Sequence, residues 1–410
     1  MPWLDWCETK MHLAGYPEPV VMLKSVLLSL CLAATFCVAA QHRSNNRRLE
    51  KELHAAIKEW SAVGLSVVAV KEGNIVYKQH FGYQDKEKKI PLNDQTIFRI
   101  ASISKSFSAT AIMQLIDEGK LSLDDDFGKL LGFAVRNPKY PDKVITLRMV
   151  MSHTSGVNDS QGYFNLDVIN PSRNPDWAKC YSDYEPGAHY DYCNLNFNMV
   201  GAVLERQTGV RLDAHIRNKI IKPLGLYGGH CVDSLDATRF ATLYAYDSTR
   251  SMFVVSPEAY APRREALAHY ELGYTTPVLS PTGGMKISAI DLARYMMMHM
   301  YDGTYHGVRI MSAESARLMR QPIADQEGYG LAMRETSDVI DGVTLKGHTG
   351  TAYGLYSAMF FDPEKKFGFV VITNGCLPDN SPDIRPLLRK SMAILYKHII
   401  DTDFGSSVIE

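Results

Sequence analysis

The sequence predicts an α/β (α+β) fold. An antiparallel sheet is built from the N- and C-terminal segments and flanked by helices, and a mainly helical subdomain is inserted between them. Three observations predict it. Near the start, Gly64–Val70 and Ile75–Gly82 are β-branched runs joined by Glu72-Gly73-Asn74, which reads as a hairpin. Near the end, Tyr329–Arg334, Val343–Gly347, Gly354–Phe361 and Phe367–Thr373 again read as strands, with Asp362–Lys366 as a hairpin turn. Between them the apolar spacing is helical. Terminal segments that share one sheet leave a cleft against the inserted helices, the natural place for an active site.

The composition is that of an ordinary globular chain. Its 410 residues are 46% hydrophobic and 22% charged, with a formal net charge of −1. The absence of a long run of one sign argues against a nucleic-acid surface or a polybasic membrane patch. The first forty residues differ from the rest. Lys24, an apolar run from Val26 to Ala40, the small-residue end Val38-Ala39-Ala40 and then Gln41 make a secretory signal peptide. The run is short for a membrane span, which needs about 20 residues. Trp3, Asp5, Trp6, Glu8 and Pro17 do not suit the charged start of such a signal, so translation is expected to begin at Met22. A retained N-terminal membrane anchor is the alternative. Loss of residues 1–40 leaves a neutral chain with Cys180, Cys193, Cys231 and Cys376. Export permits disulfides, and Cys180 with Cys231 is the expected pair. The cysteine spacing does not fit a zinc site. The sequence contains no H-E-x-x-H, no Walker-type glycine loop and no G-x-S-x-G nucleophile elbow.

In order along the chain, residues 41–48 read as a leader and 49–400 as one large domain, with 401–410 as a tail. The sheet part takes about 49–105 and 280–400, and the helical part about 106–279. Leu49, Leu53, Ile57 and Trp60 give a helix that covers one sheet face. Pro91–Arg99 is a connector. A helix then runs from about Ser102 to Glu118. Gly119–Asp126 is a turn, and Ile145–Met151 a short helix ending at Ser152-His153-Thr154-Ser155-Gly156. Val157–His189 is a long polar and aromatic loop, a length usually reserved for function. Leu195–Thr208 and Leu212–Ile221 are amphipathic helices, Ala241–Val255 a small hairpin, Ser288–His299 a helix after Gly283-Gly284, and Pro386–Ile400 the closing helix.

Three stretches carry the chemistry. Ser102 and Lys105 stand at i and i+3 of a helix start, side by side on one face. A serine hydroxyl becomes a nucleophile when a neighbouring base takes its proton, and a lysine serves once burial leaves it neutral. Taken alone, the pair also reads as a capped surface helix with its lysine in water. Tyr192 and Asn194, at i and i+2, would point a phenol and a carboxamide into one cavity. A phenol beside a lysine cation has its pKa lowered and can shuttle a proton, and the amide can hold a substrate carbonyl. The plainer reading of Asn194 is a helix cap before Leu195. Lys346-Gly347-His348-Thr349-Gly350-Thr351 lies on a late strand read as an edge, whose glycines allow close backbone approach and addition of the substrate as an extra strand, with His348 and Thr349 as donors to an anionic group or a leaving group.

Ser-x-x-Lys, then Tyr-x-Asn about ninety residues on, then His-Thr-Gly on a late strand resembles the serine β-lactamase and penicillin-binding protein family. The tyrosine form of the second motif resembles class C β-lactamases, D-Ala-D-Ala carboxypeptidases and β-lactamase-like esterases. The resemblance covers about residues 48 to 400. It implies the β-lactamase/transpeptidase-like fold and an acyl-enzyme mechanism. Ser102 would be the nucleophile, Lys105 its base and Tyr192 the proton relay. Asn194, His348, Thr349 and Gly350 would hold substrate, with the N–H groups of Ser102 and Thr351 as the oxyanion hole. It implies neither a metal nor an organic cofactor. His348 stands where true class C enzymes carry a lysine, so a cation that grips a carboxylate becomes a histidine mostly neutral near pH 7. Cys193 inside the second motif is a further departure.

The expected function is an exported serine hydrolase, periplasmic or secreted, that cleaves an ester or amide of a small molecule or short peptide. No nucleic acid and no stable partner is implied. Two readings stand beside it: an acyltransferase that passes the Ser102-bound acyl group to an alcohol or amine, and a non-catalytic ligand-binding or sensor protein.

Overall fold

The computed structural model describes residues 46–324, 327–379 and 384–401. The chain divides into Met1–Glu52 and Leu53–Glu410. Of the first unit the described residues 46–52 are helical, within a helix over 46–59 that already includes the last residues expected in the leader. The signal segment, Met22 and residues 402–410 of the tail lie outside the described residues. All that follows concerns the second unit.

Seven antiparallel strands form the main sheet, in the order Arg334–Ile340, Val343–Ala352, Leu355–Asp362, Phe367–Thr373, Gly64–Lys71, Asn74–Asp85, Ile90–Pro91. The last strand of the chain thus pairs with the first, in the register Leu65 with Thr373 and Val67 with Val371. Leu65, Val67, Val68, Ala69 and Val70 are all buried, so this central strand is covered on both faces, which is why its sequence is continuously apolar rather than alternating. Neighbouring residues of a strand point to opposite faces. A Cβ on Gly368 would meet the Met296 side chain of the helix Ala289–Met300. Phe367 packs on Tyr396, just past the helix Pro386–Leu395. One helix therefore covers each face.

A second, three-stranded sheet pairs Lys286–Ser288 with Ile97–Arg99 on one side and Gly228–Gly229 on the other. These strands are too short to show periodicity, and the sequence reading placed Ile97–Arg99 in a connector. They deliver the segment that carries Ser102: Ile100 N–H donates to Met285 O (3.0 Å) and Met285 N–H to Ser104 Oγ (2.9 Å).

Three further differences have local causes. The expected strand Tyr329–Arg334 is not one; the strand begins at Arg334. Gly328 and Ala332 hold φ of +60° and +67°, which breaks extended backbone. The expected helix Leu212–Ile221 is α-helical to Ile216 and then widens to a π turn over Arg217–Ile221. The helix Ala313–Arg320, unread in the sequence, starts at Ser312, whose hydroxyl accepts from Ser315 N–H and donates to Asp117 (2.7 Å).

The helix Asn194–Thr208 is fastened at its far end by Glu205. This fully buried carboxylate accepts from Leu212 N–H (2.7 Å), Gly273 N–H (2.8 Å), Thr276 Oγ1 (2.7 Å) and Tyr270 Oη (2.5 Å). It binds the next helix start and the segment that leads to Thr282. Buried donors without an acceptor cost about 1–3 kcal/mol each. Glu205→Ala should therefore lower stability by about 3 kcal/mol or more, read by urea unfolding, and Glu205→Gln by less, because its amide keeps one acceptor oxygen.

Candidate active site

Ala101, just ahead of Ser102, adopts φ +47°, a left-handed conformation an alanine rarely takes. The turn ends the short strand and opens a single 3₁₀ turn, Ala101–Ile103, that runs into the helix Ser104–Asp117. Ser102 stays half-buried, while Ile103 to Met113 are all buried. The i, i+3 spacing does what the sequence suggests: Lys105 Nζ lies 3.2 Å from Ser102 Oγ. Lys105 has no exposed surface, and it donates to Asn194 Oδ1 (2.9 Å) and to Thr282 O (3.1 Å). Among the described residues it has no carboxylate within ion-pair reach. Burial pushes its pKa down to about 7, and the charge of Asp159 partly opposes that fall. With two N–H groups engaged by fixed acceptors, the remaining position of the nitrogen faces the serine hydroxyl.

Tyr192 and Asn194 converge on the same amine. Cys193 between them is extended (φ −136°, ψ 123°), so both side chains turn to one side. The Tyr192 ring centroid is 4.7 Å from Lys105 Nζ. One expectation is corrected here. The Tyr192 pKa is raised, not lowered, because burial outweighs the hydrogen bond with Ser102. The phenol therefore keeps its proton, although Tyr192 still shows 36% of its surface to solvent.

Asn194 is the first residue of its helix rather than the cap. The cap position is Cys193, and the capping carboxylate comes from Asp159, thirty-five residues before Asn194 in the long loop. Its carboxylate accepts from Asn194 N–H (2.9 Å), Leu195 N–H (2.9 Å), Asn194 Nδ2 (2.9 Å) and Cys193 Sγ (3.1 Å). His153, at φ +59°, holds the same stretch from behind: its carbonyl accepts from Asp191 N–H (2.8 Å) and its Nδ1 from Cys193 N–H (3.2 Å). Its ring packs among Tyr190, Tyr192, Phe197 and Tyr329. Sequence reading noticed His-Thr-Ser-Gly without a role and missed Asp159, because a cap supplied from so far away leaves no local pattern.

The third stretch lies on Val343–Ala352, which is the second strand of the sheet and not its edge. Its outer neighbour, however, pairs only as far as Arg334 opposite Gly347. Among the described residues no strand pairs with 348–352 on that side. The turn Tyr353-Gly354 has φ +56° and +83°, a two-residue hairpin closed by the pair Ala352–Leu355. Alternation of the antiparallel ladder then directs the N–H groups of Thr351 and Thr349 to the open side. Gly350 lets the strand close on the segment that carries Ser102, since a Cβ there would lie 2.2 Å from Ile100 O. Thr349 is half-buried and Thr351 exposed.

His348 is buried, and its pKa falls to about 3 through burial and the nearby Lys105. Its Nδ1 donates to Thr349 O (2.5 Å), which leaves Nε2 to accept from Tyr329 Oη (3.1 Å). Both nitrogens are thus engaged within the protein, and the expected donor to an anionic group is not free. Tyr329 is a second residue that sequence reading missed; the left-handed residues around it bring it to His348.

A Ser–His–Asp line exists elsewhere: Ser66 Oγ to His80 Nδ1 (2.9 Å) and His80 Nε2 to Asp94 Oδ1 (2.9 Å). Ser66 has no exposed surface, so a substrate cannot reach its hydroxyl. Cys180, Cys193, Cys231 and Cys376 are buried free thiols, and the expected Cys180–Cys231 bond is not formed. The Cys180 thiol faces Val168 O instead (3.3 Å). Among the described residues no group of three or more His, Cys, Asp and Glu side chains could hold a metal ion. No helix among them is long and apolar enough to cross a membrane.

Residues 47–392 match the beta-lactamase family model. Penicillin-binding protein 4 of Amycolatopsis lactamdurans is 29% identical over 306 residues, covering 70% of this chain and 74% of that protein. Protein flp of Staphylococcus aureus (strain N315) is 22% identical, covering 80% of this chain and 63% of its own. The octameric penicillin-binding protein homologue from Pyrococcus abyssi superposes with a TM-score of 0.67 at 26% identity, covering 85% of this chain and 76% of that one. The D-amino acid amidase of Ochrobactrum anthropi SV3, at 21% identity and a TM-score of 0.67, shares the fold over 87% of this chain and 99% of its own. With its antiparallel sheet, its flanking helices and a family match over most of its length, the chain belongs to the beta-lactamase family of serine hydrolases.

Proposed function

We propose that this enzyme is an exported hydrolase that cleaves a neutral ester or amide of a small molecule or short peptide through an acyl group on Ser102. The observation that carries the reading is the buried pair itself: a lysine held near a pKa of about 7 with its nitrogen 3.2 Å from the serine hydroxyl. In its neutral form Lys105 takes the Ser102 proton as Oγ attacks the carbonyl. The oxyanion forms between the N–H groups of Ser102 and Thr351. Tyr192, still a phenol, gives its proton to the leaving oxygen or nitrogen and regains one from the Lys105 ammonium. Deacylation reverses the relay: as water attacks the ester its proton passes to the Tyr192–Lys105 pair, the acyl–Oγ bond breaks, and Lys105 returns a proton to Ser102 Oγ. Asn194 holds the amine and Gly350 the close strand approach.

Neutral His348 supports an uncharged substrate, because the ring at the position expected to grip a carboxylate carries no charge. The signal-like segment Lys24, Val26–Ala40 and Gln41 supports export. The chemistry calls for no stable partner chain.

Intact mass after mixing with an activated acyl ester tests the nucleophile. The wild type should gain one acyl mass and Ser102→Ala none; equal labelling of both, or of neither, overturns the reading. Adding alcohols or amines then separates hydrolysis from transfer, since a faster release with an acceptor marks transfer.

The pH dependence follows from the base. Below a pH of about 7 Lys105 is an ammonium and cannot accept a proton; above it the amine is free. The acylation rate should therefore rise about tenfold per pH unit on the acid side and level off above a pH of about 7. A rate flat from pH 5 to 9 would remove Lys105 as the base. His348→Lys should raise kcat/KM for carboxylate-bearing esters relative to neutral ones by about tenfold, the effect of roughly one well-placed charge.

A further inference from the structure

We infer that Asp159 is a positioning residue of this site: its carboxylate fixes the rotamer of Asn194 and supplies the negative charge that Lys105 faces. The inference rests on the Ser102–Lys105 reading above and adds a residue outside the three motifs.

The geometry of the amide carries it. An asparagine side chain is nearly symmetric in shape, and only its partners decide which end is oxygen. On one side Asn194 Oδ1 accepts from Lys105 Nζ (2.9 Å) and Thr282 Oγ1 (3.0 Å). On the other it meets Asp159 Oδ2 (2.9 Å). A carboxylate is acceptor-only, so it must face the Nδ2 end and leave Oδ1 to the lysine. Turned over, the amide would set N–H against N–H at Lys105 and oxygen against oxygen at Asp159. Asp159 is itself held in place. The same two oxygens accept from the backbone N–H groups of Asn194 and Leu195, which are otherwise orphan donors at a helix start. The loop around it is tied down as well: Tyr163 O accepts from Asn198 Nδ2 (2.6 Å) and Ser160 Oγ donates to Lys179 O (2.7 Å).

The electrostatics agree. Five titratable groups face Lys105: Asp159, the Cys193 thiol, the Tyr192 phenol, His153 and His348. Burial drives the thiol and the phenol up and both histidines down, so these four are neutral at pH 7. The Asp159 carboxylate is the remaining charge, and it favours the ammonium form of Lys105 against burial.

Asp159→Asn keeps the shape and removes the charge and an acceptor; Asp159→Glu keeps the charge and displaces the cap. The experiment is the pH profile of Ser102 acylation by the activated ester, with melting temperature as the check of folding. For Asp159→Asn the acid limb should move to lower pH by about one unit, the lower end of the effect of a near charge, and the plateau rate should fall about tenfold or more. For Asp159→Glu the limb should stay with the wild type while the plateau falls. A purely structural aspartate would lower plateau and melting temperature and leave both limbs in place. A folded Asp159→Asn whose limb coincides with the wild type, or an Asp159→Glu limb that moves with it, overturns the inference. Should Asp159→Asn not fold, Asp159→Ser, neutral and a good helix cap, takes its place in the same comparison. In each case labelling of Ser102 in the wild type stands apart: its absence overturns the acyl-enzyme reading, whereas its presence with an unmoved limb overturns only the role of Asp159.

Discussion

The site is organised around an amine taken out of water with, among the described residues, no counter-ion in contact. Lys105 has no exposed surface and its nearest partners are an amide oxygen, a peptide carbonyl and a hydroxyl. An ammonium in such a place is costly, and the inexpensive response is to give up its proton near neutral pH. Everything around it keeps that balance. Asp159 stands one residue further out, close enough to be felt and too far to form an ion pair. The histidines and the tyrosine are held neutral by the same burial, so none adds charge. A carboxylate in direct contact would lock the lysine in its charged form and leave it unable to accept a proton.

The fold builds this environment from remote pieces. The short sheet through Ile97–Arg99 and Lys286–Ser288 brings the serine to the Thr282 carbonyl. The helix Asn194–Thr208 presents its first residue to the lysine and is fixed at both ends by carboxylates, Asp159 and Glu205. The glycine at 350 lets a strand from the end of the chain reach the serine turn.

What was legible in the sequence was local. The hairpin Gly64–Gly82, the last three strands and the helices around Leu115, Val203 and Met296 declare themselves by period, which depends on neighbours along the chain. Ser102 with Lys105 and Tyr192 with Asn194 are likewise short-range geometry. The rest was not legible, for definite reasons. Asp159 caps a helix thirty-five residues away, so no spacing connects the two. Tyr329 reaches His348 only because the backbone around it is left-handed where an apolar alternation suggests a strand. The direction of the Tyr192 shift depends on how much protein surrounds the phenol, a sum over the whole fold. The Cys180–Cys231 pairing assumed that available thiols would meet, whereas burial put each against a different acceptor or apolar wall.

The partial edge of the motif strand acts as a ruler. Its open length is five residues, 348 to 352, before Arg334 takes over the ladder at Gly347. At about 3.3 Å per residue that is room for roughly 17 Å of extended backbone. A chain laid along it finds the outward N–H groups of Thr351 and Thr349 and then meets a strand already in place. An extended chain laid along it would pair over no more than those five residues, and a longer one would have to bend away from the sheet beyond that point.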